Sequence, residues 1–204
     1  MVKKYLIFVL FFIDVMGISA DTSFPSKKIT AYSQNSEYML IVYPTAIPNN
    51  FFSYKYQRQR RRGMVKDTII PCHAVLYHIC NSDTVKLWDK PLINTDSPVY
   101  AIVANDGKSI ITIDDWGRRG YQHTLVIYGE NGELIEDFEL KDISPFPLEH
   151  YVHTISSINW RENREDRENV KYLDKDRIEI HFIYRKGEDK IRVFNIKTRE
   201  FEEP

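Results

Sequence analysis

Cysteine is scarce in this sequence of 204 residues, which contains only Cys72 and Cys80. Two thiols are too few for a disulfide-rich miniature fold or for a zinc site made of four thiolates. A continuous strand between the two residues would hold their Cα atoms about 26 Å apart, whereas a disulfide needs less than about 7 Å. We therefore predict a strand over 73–79 and free thiols, and no zinc site is expected on the histidines between them.

An excess of charge of one sign is also lacking, because 28 lysine and arginine residues are balanced by 29 aspartate and glutamate residues. The net charge of −1 gives no general attraction to an anionic membrane or to nucleic acid, so nucleic acid is not an expected partner. The motifs G-x-S-x-G, G-x-G-x-x-G and H-E-x-x-H and the P-loop are absent from the sequence. These absences argue against the common enzyme classes, and no cofactor or metal ion is expected.

Long apolar runs are confined to the N-terminus, where residues 1–20 have the order typical of a secretory signal peptide. Two lysines precede an apolar run over 5–13, and small residues follow as far as Ala20. The run is shorter than the roughly 20 helical residues that a bilayer requires. We predict cleavage after Ala20, a secreted or periplasmic mature chain of residues 21–204, and no transmembrane segment within that chain.

Short β-branched and aromatic runs, separated by turn residues, fill the rest of the sequence and predict an all-β fold. The runs 99–103 and 109–113 flank Asn105-Asp106-Gly107, whose residues favour the positive φ of a tight hairpin turn. Two further runs, 124–128 and 134–140, complete an antiparallel four-stranded meander. Its length of about 42 residues is that of a propeller blade.

Weaker copies of this meander are predicted on both sides of it. Residues 33–42 align with 104–113 at an offset of 71, and the runs 73–79 and 85–88 follow as the outer strands of the first unit. The sequence therefore predicts a single all-β domain of about three blade-like units, at 27–92, 98–141 and 153–204. A closed propeller typically has about four to eight blades, so we expect an open stack or a sandwich.

The third unit is predicted from strands at 155–160, 177–184 and 191–196. The densely charged residues 161–175 favour a solvated loop or a short surface helix. Residues 147–152 are consistent with one helical turn between the second and third units.

Several short motifs resemble those of a group of uncharacterised secreted bacterial proteins with blade-like repeats. They are Leu87–Leu92, Ala104–Lys108, Asp114–Gly117 and Ile155–Trp160. The resemblance extends over residues 72–160 and implies a β-sheet repeat fold. It implies no activity and no functional residues.

A polar and aromatic segment, residues 114–123, lies between two predicted strands and is the first candidate site. Loops held on a rigid sheet are favoured places for binding residues, and paired carboxylates can bind a hard cation or exchange protons. Aromatic side chains should fix the shape of this loop. We expect a specific protein or carbohydrate partner to contact Asp114, Asp115, Trp116, Arg118 and Tyr121.

A basic segment, residues 54–66, is the second candidate, with six positive charges and no negative charge. Its arginines could bind phosphate or sulfate groups; they are Arg58, Arg60, Arg61 and Arg62. We expect this segment to be a mobile solvated loop that contributes a salt-screened, non-specific attraction.

The sequence favours a non-catalytic binding or assembly module that acts outside the cytoplasm. One alternative is a hydrolase or metal-assisted enzyme that uses Asp114, Asp115 and a histidine. A second alternative is a protein that binds polyanions through Arg60–Arg62.

Overall fold

The computed structural model describes residues 27–48, 53–64, 69–80, 83–161, 170–183 and 189–202. In these residues the strands form three antiparallel four-stranded sheets and one two-stranded pair. In every four-stranded sheet the order of the strands in space is their order along the chain, as in a meander. The predicted all-β fold of open, blade-like units is therefore confirmed.

The first sheet contains β1 (Ile29–Tyr32), β2 (Tyr38–Tyr43), β3 (His73–Cys80) and β4 (Asp83–Pro91). The predicted strand between the two cysteines is confirmed, because β3 is continuous over its eight residues. A bulge interrupts the pairing of β3 with β4 at residues 76–77.

The basic segment between β2 and β3 forms a helix over part of its length, α1 (Tyr54–Arg61), so the prediction of a loop is wrong over these residues. The hydroxyl of Ser53 caps the helix by accepting the amide hydrogen of Tyr56. Arginine, lysine and glutamine have favourable helix propensities, and Tyr56 is the buried residue of the helix. The charges of this segment favour a solvated loop, whereas the helix propensity of the same residues accounts for α1.

The second sheet lies between the other two, and its two inner strands are buried on both faces. It contains β5 (Pro98–Val103), β6 (Ile110–Asp115), β7 (Leu125–Tyr128) and β8 (Leu134–Phe138). Every residue of β6 and β7 is buried, and successive side chains point alternately to the two faces. In such strands apolar residues can follow one another without alternation, as in Ile110-Ile111 and Leu125–Tyr128, although β6 also buries the polar residues Thr112, Asp114 and Asp115.

Between the second and third sheets the chain forms short elements that the sequence predicted in part. They are α2 (Leu140–Ile143), a 3₁₀ turn over Leu148–His150, and the paired strands β9 (Val152–His153) and β10 (Ile158–Asn159). The helical turn is confirmed. The predicted strand at 155–160 is shorter: Ile158 and Asn159 pair with β9, while the carbonyl of Trp160 accepts the amide hydrogen of Ile183 at 3.0 Å.

The third sheet contains β11 (Val170–Tyr172), β12 (Arg177–Ile183), β13 (Asp189–Asn195) and β14 (Glu200–Phe201). The prediction of a loop or helix over 161–175 is wrong at β11, whose residues pair with 178–180 of β12. A hydrogen bond holds this short strand against the second sheet, because the hydroxyl of Tyr172 donates to the carbonyl of Val103, the last residue of β5, at 2.9 Å.

One hydrophobic core joins the first sheet to the second. Its residues are Leu40, Val42, Cys72, Ala74, Leu76, Trp88, Leu92, Val103, Ile110, Val126 and Tyr128. On the opposite face of the second sheet, Ile111, Ile113, Leu125 and Ile127 belong to another core that includes Ile178 and other side chains of the third sheet. The three sheets therefore pack face to face in chain order.

The repeat of 71 residues is visible in the backbone of the first two sheets. The amide of Ser36 donates to the carbonyl of Ser33 at 2.9 Å. At the positions 71 residues later, the amide of Gly107 donates to the carbonyl of Ala104 at 3.0 Å. Ser36 and Gly107 also share a positive φ, of 59° and 68°. The same turn is thus built twice.

Candidate functional site

The segment 114–123, which we call the Asp-Trp loop, connects β6 to β7 in the central sheet. Its first two residues, Asp114 and Asp115, end β6 and are completely buried. Two other connections meet the loop: residues 92–97, between the first and second sheets, and residues 158–161, before the third sheet. The loop therefore lies where all three sheets are joined.

Asp115 fixes the connection between the first and second sheets. Its carboxylate accepts hydrogen bonds from the amides of Thr95 at 2.7 Å and Asp96 at 3.3 Å. The amide of Gly117 donates to the same carboxylate at 3.2 Å, which closes the loop back on itself. A carboxylate that accepts several backbone amides replaces the water it loses on burial.

Asp114 fixes the other connection. One carboxylate oxygen accepts the amide hydrogens of Gly120 at 2.7 Å and Asp115 at 3.1 Å. The second oxygen accepts from the indole of Trp160 at 3.2 Å and from Nε of Arg161 at 3.1 Å. Asp114 adopts a positive φ of 64°, a conformation that an L-residue rarely takes unless its surroundings hold it there.

The electrostatics of Asp114 are those of a buried ion pair. Burial raises the pKa of the Asp114 carboxyl, while the adjacent Arg161 guanidinium and the amide donors oppose that rise. Arg161 is itself buried, and its guanidinium lies over the rings of Tyr100, at 5.4 Å, and Trp160, at 5.9 Å. Removing one member of such a pair leaves an uncompensated charge in the interior.

These contacts leave the two carboxylates as internal parts of the loop rather than as groups that face a substrate. His123, the histidine at the end of the loop, pairs with Asp137 at 3.0 Å and has a positive φ of 53°. Within the described residues, the hydrogen bonds that the carboxylates of Asp114 and Asp115 accept come from backbone amides, Trp160 and Arg161, and from no histidine. Within the same residues, no group of three or more histidine, cysteine or acidic side chains is placed to hold a metal ion.

The remaining predicted residues of the loop lie at its surface. Trp116 is half-buried, and the guanidinium of Arg119 lies 5.5 Å from the centre of its ring. Arg118 is exposed, and so is Tyr121, whose hydroxyl donates to the carbonyl of Thr154. The five predicted residues thus divide into two buried carboxylates and three side chains that solvent reaches.

The arginines predicted to bind polyanions are all exposed, on α1 and the residue after it. Arg58, Arg61 and Arg62 are three and four positions apart, so they share one side of the helix. The helix belongs to the connection between β2 and β3, which is the counterpart in the first sheet of the Asp-Trp loop.

Both cysteines are free thiols and lie at opposite ends of β3, Cys72 directly before the strand and Cys80 as its last residue. Cys72 is buried, and desolvation with the nearby carboxylates raises its pKa to about 12. Cys80, at the end of β3, is exposed.

Sequence reasoning missed the residues that hold the Asp-Trp loop in place. Thr95 and Asp96 lie in a turn-forming run, Asn94-Thr95-Asp96-Ser97, which marks a connection but not the carboxylate that it contacts. Arg161 opens the charged stretch that we interpreted as a solvated loop. Both contacts join residues distant in sequence, so local patterns carry no signal for them.

The fold and the loop define an all-β protein of open, blade-like sheets. No family model and no curated protein matches the chain. Among solved structures it is similar to the periplasmic gluconolactonase PpgL of Pseudomonas aeruginosa, with 12% identity, a TM-score of 0.40, and coverage of 81% of this chain and 38% of the other. It is also similar to MPT-4, a mannose phosphorylase from Leishmania mexicana, with 11% identity, a TM-score of 0.28, and coverage of 85% and 49%.

The chain thus spans less than half the length of either structure that it matches. The blade-like sheets that the resemblance to secreted bacterial proteins implied are present. In the described part of the chain, no helix is long and apolar enough to span a membrane.

Proposed function

We propose that this protein is a non-catalytic binding module whose specific partner, a protein or a carbohydrate, contacts the surface of the Asp-Trp loop. The contact residues are Trp116, Arg118 and Tyr121. Asp114 and Asp115 act beneath them as positioning residues that fix the shape of the loop.

The observation that carries this proposal is the complete internal engagement of the two carboxylates. Each carboxylate oxygen accepts at least one hydrogen bond from the protein, and neither side chain is exposed. A general acid or base must reach the proton that it transfers, and these groups are turned away from solvent. The same bonds preorganise the surface residues, which lowers the entropy lost when a partner binds.

Polyanion binding through α1 is a second candidate. A helix places Arg58, Arg61 and Arg62 on one side, which gives a denser positive surface than the mobile loop that the sequence predicted. Binding of this kind depends on phosphate or sulfate charge and weakens steeply as salt increases.

A comparison of matched variants tests the two candidates. The wild-type protein is screened against a glycan array and against extracellular proteins, and each binder is then titrated at about 0.15 M salt, where surface charges are screened beyond about 8 Å. Trp116→Ala and Arg118→Ala should each weaken binding by about tenfold or more, a loss of roughly 1.4 kcal/mol. The double variant Arg58→Ser, Arg61→Ser should bind as the wild type does.

The proposal is wrong if Trp116→Ala and Arg118→Ala keep full affinity while remaining folded. Loss of binding in the Arg58, Arg61 variant alone would favour the polyanion function. Turnover of any array sugar, lost in Asp115→Asn, would favour the enzyme.

We also propose that the protein acts outside the cytoplasm after removal of residues 1–20, which lie outside the described residues. The order of charged, apolar and small residues supports this. Intact-mass analysis of protein purified from the native host should give a chain that begins at Asp21. A mass that includes residues 1–20 would contradict it.

A further inference from the structure

A cleft lies between the second and third sheets and involves no residue of the Asp-Trp loop. Its volume is about 500 Å³, within the range of roughly 300–1,000 Å³ that small-molecule sites occupy. Three hairpin turns line it: 104–109 between β5 and β6, 175–176 between β11 and β12, and 196–199 between β13 and β14.

Positive charge predominates in the lining. It contains four cationic side chains, Lys108, Lys175, Lys197 and Arg199, against the two acidic side chains Asp106 and Asp176, so the balance is 4 − 2 = +2. One of the pairs is partly neutralised, because the ammonium of Lys175 lies 3.8 Å from the carboxylate of Asp176. This local excess contrasts with the net charge of −1 of the whole chain.

Each turn that lines the cleft is held rigid by a side chain of its own. Asp106 accepts the amide hydrogen of Lys108 at 2.9 Å, and Asp174 accepts that of Asp176 at 3.0 Å. In the third turn, Asn195 accepts the amide hydrogens of the two residues 197 and 198, each at 3.0 Å. Such local bonds fix the backbone of a turn. The charged side chains therefore project from fixed positions.

Arg199 is the residue that connects the two walls. It has a positive φ of 63°, and its guanidinium crosses from the third sheet to donate to the hydroxyl of Ser109 and the carbonyl of Lys108, each at 3.4 Å. From the opposite direction, the side-chain amide of Asn105 donates to the carbonyl of Lys175, also at 3.4 Å. Both hydrogen bonds of the Arg199 guanidinium are long, and a guanidinium donates more strongly to an anionic oxygen than to a neutral one.

We propose that this cleft binds a small ligand that carries two or more negative charges on oxygen atoms, such as a diphosphate or a tricarboxylate. The planar guanidinium of Arg199 suits paired anionic oxygens, and the ammonium groups of Lys108 and Lys197 supply charge beside it. Because the turns belong to two sheets, a bound anion would also hold those sheets together.

The test uses inorganic pyrophosphate and citrate as probes, with sucrose as the uncharged control. Each is titrated into the ¹⁵N-labelled full chain, and chemical shifts are followed by NMR at about 0.02 M and 0.15 M salt. The anions should shift the amides of 105–109, 176 and 196–199, and the higher salt should weaken binding severalfold. Sucrose should shift none of them.

Arg199→Asn removes the guanidinium but keeps a residue type that tolerates a positive φ, so the fold should be retained. This variant should bind either anion at least about tenfold more weakly, equal to roughly 1.4 kcal/mol. Lys86→Asn removes one positive charge from β4, at an exposed position outside the cleft, and should leave the affinity unchanged.

The proposal is overturned if neither anion shifts the cleft amides at a concentration of about 10 mM, which is roughly ten times a weak dissociation constant of about 1 mM. It is also overturned if a folded Arg199→Asn protein binds as the wild type does, or if the shifts are confined to α1. None of these results bears on the Asp-Trp loop, so the proposed function is tested separately.

Discussion

At the scale of single residues, the neighbouring side chains of Asp114 and Asp115 are both completely buried, but they accept hydrogen bonds from different parts of the chain. Asp115 accepts its hydrogen bonds from residues 95, 96 and 117, whereas Asp114 accepts from 115, 120, 160 and 161. The side chains of consecutive strand residues point to opposite faces, so each carboxylate meets a different connection. Both connections are thereby fastened to one loop.

The sequence identified Asp114 and Asp115 as notable but not what they do. A pair of acidic residues next to tryptophan is compatible with a cation site, with proton transfer or with a structural role. Which of these roles applies depends on hydrogen-bond donors that lie 19 to 47 positions away in the sequence, at residues 95, 96, 160 and 161. Burial and distant donors are properties of the folded chain, and a motif of adjacent residues does not contain them.

The two cysteines give a prediction at this scale. In the folded protein Cys80 should react with a disulfide reagent such as dithionitrobenzoate at about pH 8, whereas Cys72 should not, because it is buried and the raised pKa of about 12 leaves little thiolate. A thiol count should give one fast-reacting group for each chain, and a second after unfolding in denaturant. Cys80→Ser should remove the fast group. Two thiols that react equally fast in the native protein would contradict the burial of Cys72.

At the scale of elements, the hairpins were predicted well because their signals are local. The turn at Asn105-Asp106-Gly107 and the aligned turn 71 residues earlier both exist, with equivalent hydrogen bonds and positive φ at the equivalent positions. The basic helix α1 and the short strand β11 were not predicted. The many charges of α1 led us to expect a loop, although its residues have favourable helix propensities. The strand β11 forms by pairing with β12, which lies further along the chain.

The repeated turn gives a prediction from a matched pair of variants. A Cβ atom at Gly107 would overlap the ring of Tyr38, and its φ of 68° disfavours any L-residue. Gly107→Ala should therefore lower the free energy of unfolding by about 1–3 kcal/mol. Denaturant unfolding monitored by tryptophan fluorescence measures this change.

The counterpart, Ser36→Gly, is the control. It relieves a positive φ of 59° at the same position of the first sheet while making the unfolded chain more flexible, so the two effects should cancel to within about 1 kcal/mol. If Gly107→Ala were as harmless as Ser36→Gly, the close approach of the two sheets at Tyr38 would be wrong.

At the scale of the whole molecule, the three sheets form a series with different outer faces. The first sheet turns Met39, Ile41 and Tyr77 away from the second sheet, whereas the third turns Glu179 and His181 outward. Both faces of β6 and β7 are covered, which explains why their apolar residues are not confined to alternate positions. The number of units followed from the sequence, since each unit is a local meander. The packing between them did not, because it depends on side chains from separate units.

The central claim is that Asp114 and Asp115 are internal fasteners of two separate connections, and amide hydrogen exchange tests it most directly. Exchange resolved by NMR is compared in the wild type, Asp115→Asn and Asp114→Asn, since an Asn in place of Asp retains the shape but loses the charge. Asp115→Asn should speed exchange at Thr95 and Gly117, whose amides donate to its carboxylate.

Asp114→Asn should instead speed exchange at Gly120, whose amide donates to the Asp114 carboxylate, and at Ile158, whose amide donates to the loop at Arg119. Two distinct patterns would confirm that each carboxylate holds one connection. Unchanged exchange at all four amides in both folded variants would contradict the account. It would show that the charges of the two carboxylates can be removed without loosening the Asp-Trp loop or its connections.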